Sequence, residues 1–227
     1  RPQWFSVKGG SRAYIDAMLS MIANKLISFK TNTRALSIKK TQSGLEVSTQ
    51  DTNQRQHLIH CDHIILASHA DESAKILKTM PHSMTAQLSR IKFQANTAVI
   101  HQDTSQMPRL KGAWSSWNYL SHTALEENPR IAVTYFMNKL QHLPTRKNLF
   151  VTLNPVAQLN SSKVIKSIEY AHPVMDQCRD IAVKNIQNIQ GESKIWIAGA
   201  WMGNGFHESG FQSGRQVAEK IIATHNR

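Results

Sequence analysis

The residues whose types and spacing hold the most chemistry lie near the end of the chain. They run Trp196-Ile197-Ala198-Gly199-Ala200-Trp201-Met202-Gly203-Asn204-Gly205-Phe206-His207-Glu208-Ser209-Gly210-Phe211-Gln212-Ser213-Gly214. The apolar, β-prone run from Lys194 to Ala198 predicts a short buried strand. Gly199, Gly203 and Gly205 predict a loop of tight turns and close backbone approach. From Gly210 onward Phe211, Gly214, Ala218, Ile221 and Ile222 recur at helical spacing. A strand that feeds a glycine loop and a helix start presents unpaired N–H groups and the positive end of the helix dipole. Both favour something electron-rich, phosphate included. The competing reading is a strand, loop and helix that merely pack. His207 and Glu208 are read as positioning groups, because a carboxylate at a helix N-terminus is already explained by the dipole. No Gly-x-Ser-x-Gly, His-Glu-x-x-His or paired-cysteine pattern points to a hydrolase or a metal site.

In the order Gly205, Phe206, His207, Glu208, Ser209, Gly210, Gly214, this stretch resembles the last cofactor-binding segment of the flavin-containing amine oxidases. Earlier residues are similar to another segment of that family. Gly9-Gly10-Ser11 opens a helix, Thr31 to Leu36 forms a strand, Gly44 a turn, and Asp62 to Ala67 a second strand. Further matches are Trp114-Ser115-Ser116-Trp117-Asn118-Tyr119, Met137 to Gln141 and Thr152-Leu153-Asn154-Pro155. Together they resemble a bacterial branch described only as a FAD-dependent oxidoreductase.

The resemblance implies FAD as cofactor and hydride-type transfer to flavin from a small-molecule substrate that the sequence does not identify. It places Gly199, Ala200, Gly205, Phe206, His207 and Glu208 beside the flavin and the main chain of Thr33 beside the adenine. In the family a lysine late in a substrate-domain strand holds a water near the flavin. His101, at the end of Thr97-Ala98-Val99-Ile100-His101, stands where that lysine would be. A histidine there can hold a water or exchange a proton near neutral pH. It can equally be a strand-end histidine bonded to its neighbours. Trp114, Trp117, Tyr119 and Tyr135 are read as pocket wall or as core.

The resemblance also shows two departures. The Gly-x-Gly-x-x-Gly turn that holds the FAD pyrophosphate has no counterpart, since neither Gly9-Gly10 nor Gly203-Asn204-Gly205 has the required third glycine. Ala200 and Trp201 stand where many relatives carry an acidic residue. The chain therefore reads as the C-terminal part of a flavoprotein, inactive by itself and expected to purify without tightly bound FAD.

The elements that must position these residues follow from the chain in order. Ile15, Met18, Leu19, Ile22 and Leu26 share one helical face. Strand character runs from Ile27 to Lys40 and from Leu45 to Thr49, with a polar hairpin tip at Asp51 to Gln56 and a buried strand at Cys61 to Ala67. Short helices are expected at 71–77 and 83–88. Strands follow at 94–102, 131–137, 148–154 and 165–171, a helix at 174–189, and the final strand, loop and helix. Consecutive strands without intervening helices imply a mixed or antiparallel sheet. The expected fold is α+β with α/β character. A partial FAD-binding domain, split between 1–70 and 190–227, accompanies a mixed-sheet substrate domain at 71–189. The two parts of the first domain are expected to pack together, the Gly9 helix with the Ser213 helix.

Composition bounds the rest. The hydrophobic fraction of 41% is that of a globular protein. Cys61 and Cys178 suggest neither disulfide nor zinc site, which fits a reducing cytoplasm. No apolar run suits stable membrane insertion. Lys and Arg number 27 against 15 acidic residues, a net charge of +12. The basic residues are scattered, which argues against nucleic acid. A non-catalytic basic module that binds an anionic partner, a membrane surface or nucleic acid, stays as the alternative to an enzyme. If the chain is a part, apolar surface left bare is expected to drive self-association.

Overall fold

The computed structural model describes residues 5–22, 27–80, 83–121 and 131–225. In chain order the elements are α1 (Ser11–Ile22), β1 (Arg34–Lys40), β2 (Leu45–Gln50), β3 (Gln56–Cys61), β4 (Ile64–Leu66), α2 (Ala70–Leu77), α3 (Ser83–Leu88) and β5 (Phe93–His101). Then come β6 (Trp117–Ser121), β7 (Ile131–Phe136), α4 (Met137–Gln141), β8 (Phe150–Leu153), β9 (Val164–Pro173), α5 (Gln177–Asn188), β10 (Ile195–Ile197) and α6 (His207–His225). The fold is mixed α+β, as the sequence predicts. Leu26, on the apolar face expected for the first helix, lies outside the described residues.

Two compact units divide the chain. One comprises Arg1–Ser28 with Ala95–Ala171, the other Phe29–Gln94 with His172–Arg227. The observed divisions therefore fall at 28/29, 94/95 and 171/172, not at 70/71 and 189/190. The reason is packing. α2, α3 and α5 bury Ala70, Ala74, Leu77, Met84, Leu88, Ala182, Val183 and Ile186 in the same core as Ile64, Leu66, Ile195 and Ile197. Those helices belong with the short parallel strands that they cover. The Gly9 helix, α1, falls in the other unit, so it does not share a body with α6. α1 carries an apolar stripe but buries no residue.

In the second unit, β1, β2 and β3 form an antiparallel meander, and β4 pairs with β10 in parallel. The turn at Gly44 closes the first hairpin through Thr41 N–H to the Gly44 carbonyl at 2.9 Å. Asp51 shapes the next turn by accepting from the N–H groups of Asn53 and Arg55, both at 2.9 Å. The first unit holds most of a five-stranded sheet in the order β6-β7-β8-β5-β9. Its β6–β7, β7–β8 and β5–β8 pairings are antiparallel. Among the described residues no helix is long and apolar enough to cross a membrane.

Candidate cofactor loop at the carboxyl end of the parallel pair

β4 is Ile-Ile-Leu and β10 is Ile-Trp-Ile, β-prone triplets of which Ile64, Leu66, Ile195 and Ile197 enter the core of the second unit, while Ile65 is exposed. They pair in register, Ile64 with Ile195, Ile65 with Trp196 and Leu66 with Ile197. Both strands therefore end side by side. β4 continues through Ser68 and His69 into α2, and β10 through Gly199 and a 3-10 turn at Ala200–Met202 into α6. In sheets of this kind the carboxyl ends of parallel strands are where ligands sit.

The two exits are tied together. The Trp201 indole N–H donates to the Ser68 carbonyl at 3.1 Å. The Gly199 N–H donates to Ser213 Oγ at 2.9 Å, and that hydroxyl donates to the Gly210 carbonyl at 2.8 Å. Gly199 must be a glycine for a steric reason, since a Cβ there would lie 2.5 Å from Trp201 Nε1. Gly205 is needed for its positive φ of 80°. A Cβ on Gly210 would already touch Ala200 at 3.7 Å, so the helix start lies close against the strand exit. The first-turn N–H groups of α6 have no acceptor within the helix, and its dipole adds partial positive charge there. The arrangement suits an electron-rich group. Gly199, Ala200, Gly205, Phe206, His207 and Glu208 are thus gathered by one loop and one helix start. His207 and Glu208 lie within the first turn of α6, which begins three residues earlier than its apolar spacing implies. Phe206 is exposed, and Glu208 accepts from Gln212 Nε2 at 2.6 Å.

Thr33 is placed differently. Its hydroxyl donates to the Thr31 carbonyl at 3.1 Å, and it lines a surface cleft with Phe29, Asp51 and His57. Two residues further on, Ala35 lines another cleft of about 340 Å³ with Arg34, Leu36, Ser68, Glu72 and Lys75. That cleft includes Ser68, which stands at the carboxyl end of β4. The sequence places Thr33 in a strand that begins at Thr31, whereas β1 begins at Arg34, and Ala35 rather than Thr33 lines the cleft beside Ser68. Ser68 follows directly on the apolar Asp62–Ala67 run.

His101 is fully buried in the first unit. Asp103 N–H donates to His101 Nδ1 at 3.1 Å, which makes Nδ1 the acceptor nitrogen. Nε2 therefore carries the proton and donates to Thr152 Oγ1 at 2.7 Å. The Thr152 and Thr134 hydroxyls share a further hydrogen bond at 2.8 Å. Both ring nitrogens are occupied within the sheet, so in this arrangement His101 has none free for a water or a substrate. Alternation along β5 does put Val99 and His101 on one face, where both are buried, and Ala98 on the other face is buried as well. The aromatic residues divide accordingly. Trp114 packs edge-on against Phe136 and Phe150, near His101. Trp117 and Tyr135 meet at 5.4 Å on the opposite face, more exposed.

Burial pushes the His101 pKa below the ordinary histidine value, and the nearby Asp103 carboxylate only partly offsets it. The unfolded chain then takes up a proton, near pH 6.5 for an ordinary histidine, that the folded chain resists. The stability from neutral His101 is complete above about pH 6.5 and is lost as pH falls through the depressed folded value. Urea midpoints of the wild type should therefore fall between pH 7.5 and pH 5 more steeply than those of His101→Gln. Equal slopes would show that His101 does not carry this dependence.

Further residues hold the loop from behind. The Gln190 carboxamide bonds both ways to Ile197, accepting from its N–H at 2.8 Å and donating to its carbonyl at 2.7 Å. With Gly191 N–H on the Ile195 carbonyl at 3.0 Å, this closes the outer edge of β10. Arg179, from the first turn of α5, is 8% exposed. Its Nε and Nη2 donate to the Trp201 carbonyl at 2.9 and 2.7 Å, and Nη2 also donates to the Gly203 carbonyl. Nη1 donates to the Asp180 carboxylate at 2.5 Å. No metal-binding cluster of His, Cys, Asp and Glu occurs among the described residues.

Comparison with known proteins bears on the whole chain. A family profile described as "Flavin containing amine oxidoreductase" matches residues 1–152. Among solved structures, a CLA-producing fatty acid isomerase from P. acnes is similar over 92% of this chain and 52% of its own, with TM-score 0.57 and 12% identity. A RebC-10x structure, native and K252c-bound, covers 82% of this chain and 34% of its own, at TM-score 0.44 and 9% identity. The chain spans about half the length of the isomerase it matches. No curated protein matches. At such identity the isomerase likeness concerns the fold alone. The profile match ends before β10 and α6, so it is independent of the glycine loop. On a match across residues 1–152, the chain belongs to the flavin-containing amine oxidoreductase family.

Proposed function

We propose that this chain is part of a FAD-dependent oxidoreductase whose flavin meets the Gly199–Glu208 loop. FAD would supply the electron-accepting chemistry, with the substrate as hydride donor. The chain's own residues supply position and electrostatics. The N–H groups at the start of α6 and the dipole behind them favour an electron-rich edge of the ligand. Ser213 keeps the Gly199 backbone turned toward the helix. The adenine contact expected of the Thr33 main chain is assigned instead to Ala35 and Ser68, because their cleft includes the carboxyl end of β4. His101 is assigned a supporting role inside its sheet. The observation that carries this reading is the meeting of two parallel strand ends, one glycine-rich, at the start of α6.

The test is a flavin titration. The chain should purify with well under one equivalent of flavin released on denaturation. Added FAD should then give a saturable change in its visible absorbance at about millimolar concentration. Ser213→Ala should weaken that response. Flavin absorbance unchanged by the protein at several times that concentration would count against the proposal.

A further inference from the structure

We propose that Arg179 is the positioning residue of this loop. It acts from α5 by fixing the Trp201–Gly203 carbonyls, and so it sets where α6 begins. The inference rests on the flavin reading for its functional meaning, but its structural content stands apart from it.

The direction of Arg179 is set first. Asp176 caps α5 by accepting the Arg179 N–H at 2.8 Å, which fixes this residue in the first helical turn. Its guanidinium then reaches the short 3-10 turn at Ala200–Met202 and the glycine that follows it. The turn is held from its other side by the Ala200 carbonyl, which accepts from Gly203 N–H at 3.1 Å and Gly205 N–H at 3.0 Å. Ala200 thus gathers the N–H groups while Arg179 gathers the carbonyls of Trp201 and Gly203. The peptide planes between them have little freedom left. The chain then passes Gly205 and enters α6 at His207.

A planar, permanently charged fork suits this work. It offers several N–H donors at fixed angles and makes charge-assisted bonds to more than one acceptor at once. Lysine carries the same charge as a point and spans the two carbonyls less well. The counter-ion does not explain the burial of Arg179. The Asp180 side chain is 66% exposed, so water screens that pair, whereas the buried donors all go to loop carbonyls. An arginine present only to fill the core would not need two carbonyls of one turn.

Hydrogen exchange on the whole chain, comparing wild type with Arg179→Lys and Arg179→Met, tests this. In Arg179→Met the amides from Gly203 to Ser209 should exchange about 10- to 100-fold faster, the loss expected for charge-assisted bonds. Amides of β10 and the middle of α5 should keep their wild-type rates. Arg179→Lys should fall between the two, a rescue that mere core filling would not give. If Arg179→Met does not fold, Arg179→Lys carries the same local comparison. Unchanged loop rates, or an equal rise across the unit, would overturn the assignment. Repeating the exchange with FAD separates the two ideas. Absence of FAD protection in the wild type removes the flavin reading, while a localised Arg179 effect stands or falls independently.

Discussion

Trp201→Ala should lower the stability of the second unit by about 3–5 kcal/mol, the usual cost of deleting a large buried aromatic. Trp201 is almost fully buried and belongs to the main core with Ile64, Leu66, Ile195 and Ile197. It also carries the one described side-chain bond between the two strand exits, its indole N–H on the Ser68 carbonyl. Truncation removes apolar contacts, leaves a cavity and orphans that carbonyl together. Arg179 would still hold the residue 201 backbone, so the defect is one of packing rather than of turn direction. Urea unfolding followed by far-UV circular dichroism measures it. A midpoint within error of wild type would mean that Trp201 does not hold the exits together.

Gly199→Ala should destabilise by about 1–3 kcal/mol through overpacking. The new methyl would stand 2.5 Å from Trp201 Nε1 and 2.8 Å from its Cδ1, so the indole must move. Backbone strain is not the cause, because the φ of 165° at Gly199 is extended and open to any residue. The two substitutions should therefore couple strongly. Once Trp201 is alanine the methyl at 199 has room, and the double variant should be little worse than Trp201→Ala alone. Full additivity in the double-mutant cycle would show that the clash is not the operative term.

How much of this was legible in the sequence depends on whether the signal was local. Apolar alternation gave β7, and helical spacing with a breaker at Pro81 gave α2 and α3 within a residue. The glycine loop was legible because its glycines are required locally. The unit boundaries were not, because α2, α3 and α5 join the β4–β10 core through contacts distant in sequence. His101 stands at a strand end, as the sequence predicts, but alternation does not show what its ring nitrogens bond. Its bonds to Asp103 and across β8 to Thr152 settle that. Arg179 was invisible for the same reason. Its acceptors are backbone carbonyls more than twenty residues away, and carbonyls leave no trace in residue types. At Thr33 the strand expected from Thr31 begins three residues later, at Arg34, and the residue that lines the cleft beside Ser68 is Ala35.

The most direct test of the central claim is where FAD touches the chain. Hydrogen exchange with and without FAD at about millimolar concentration would locate it. The account predicts slowed exchange at Ser68–His69 and across Gly199–Ser209, with the buried strands of the His101 sheet unaffected. Protection at the Thr33 cleft instead, or none at a concentration that perturbs the flavin spectrum, would contradict it.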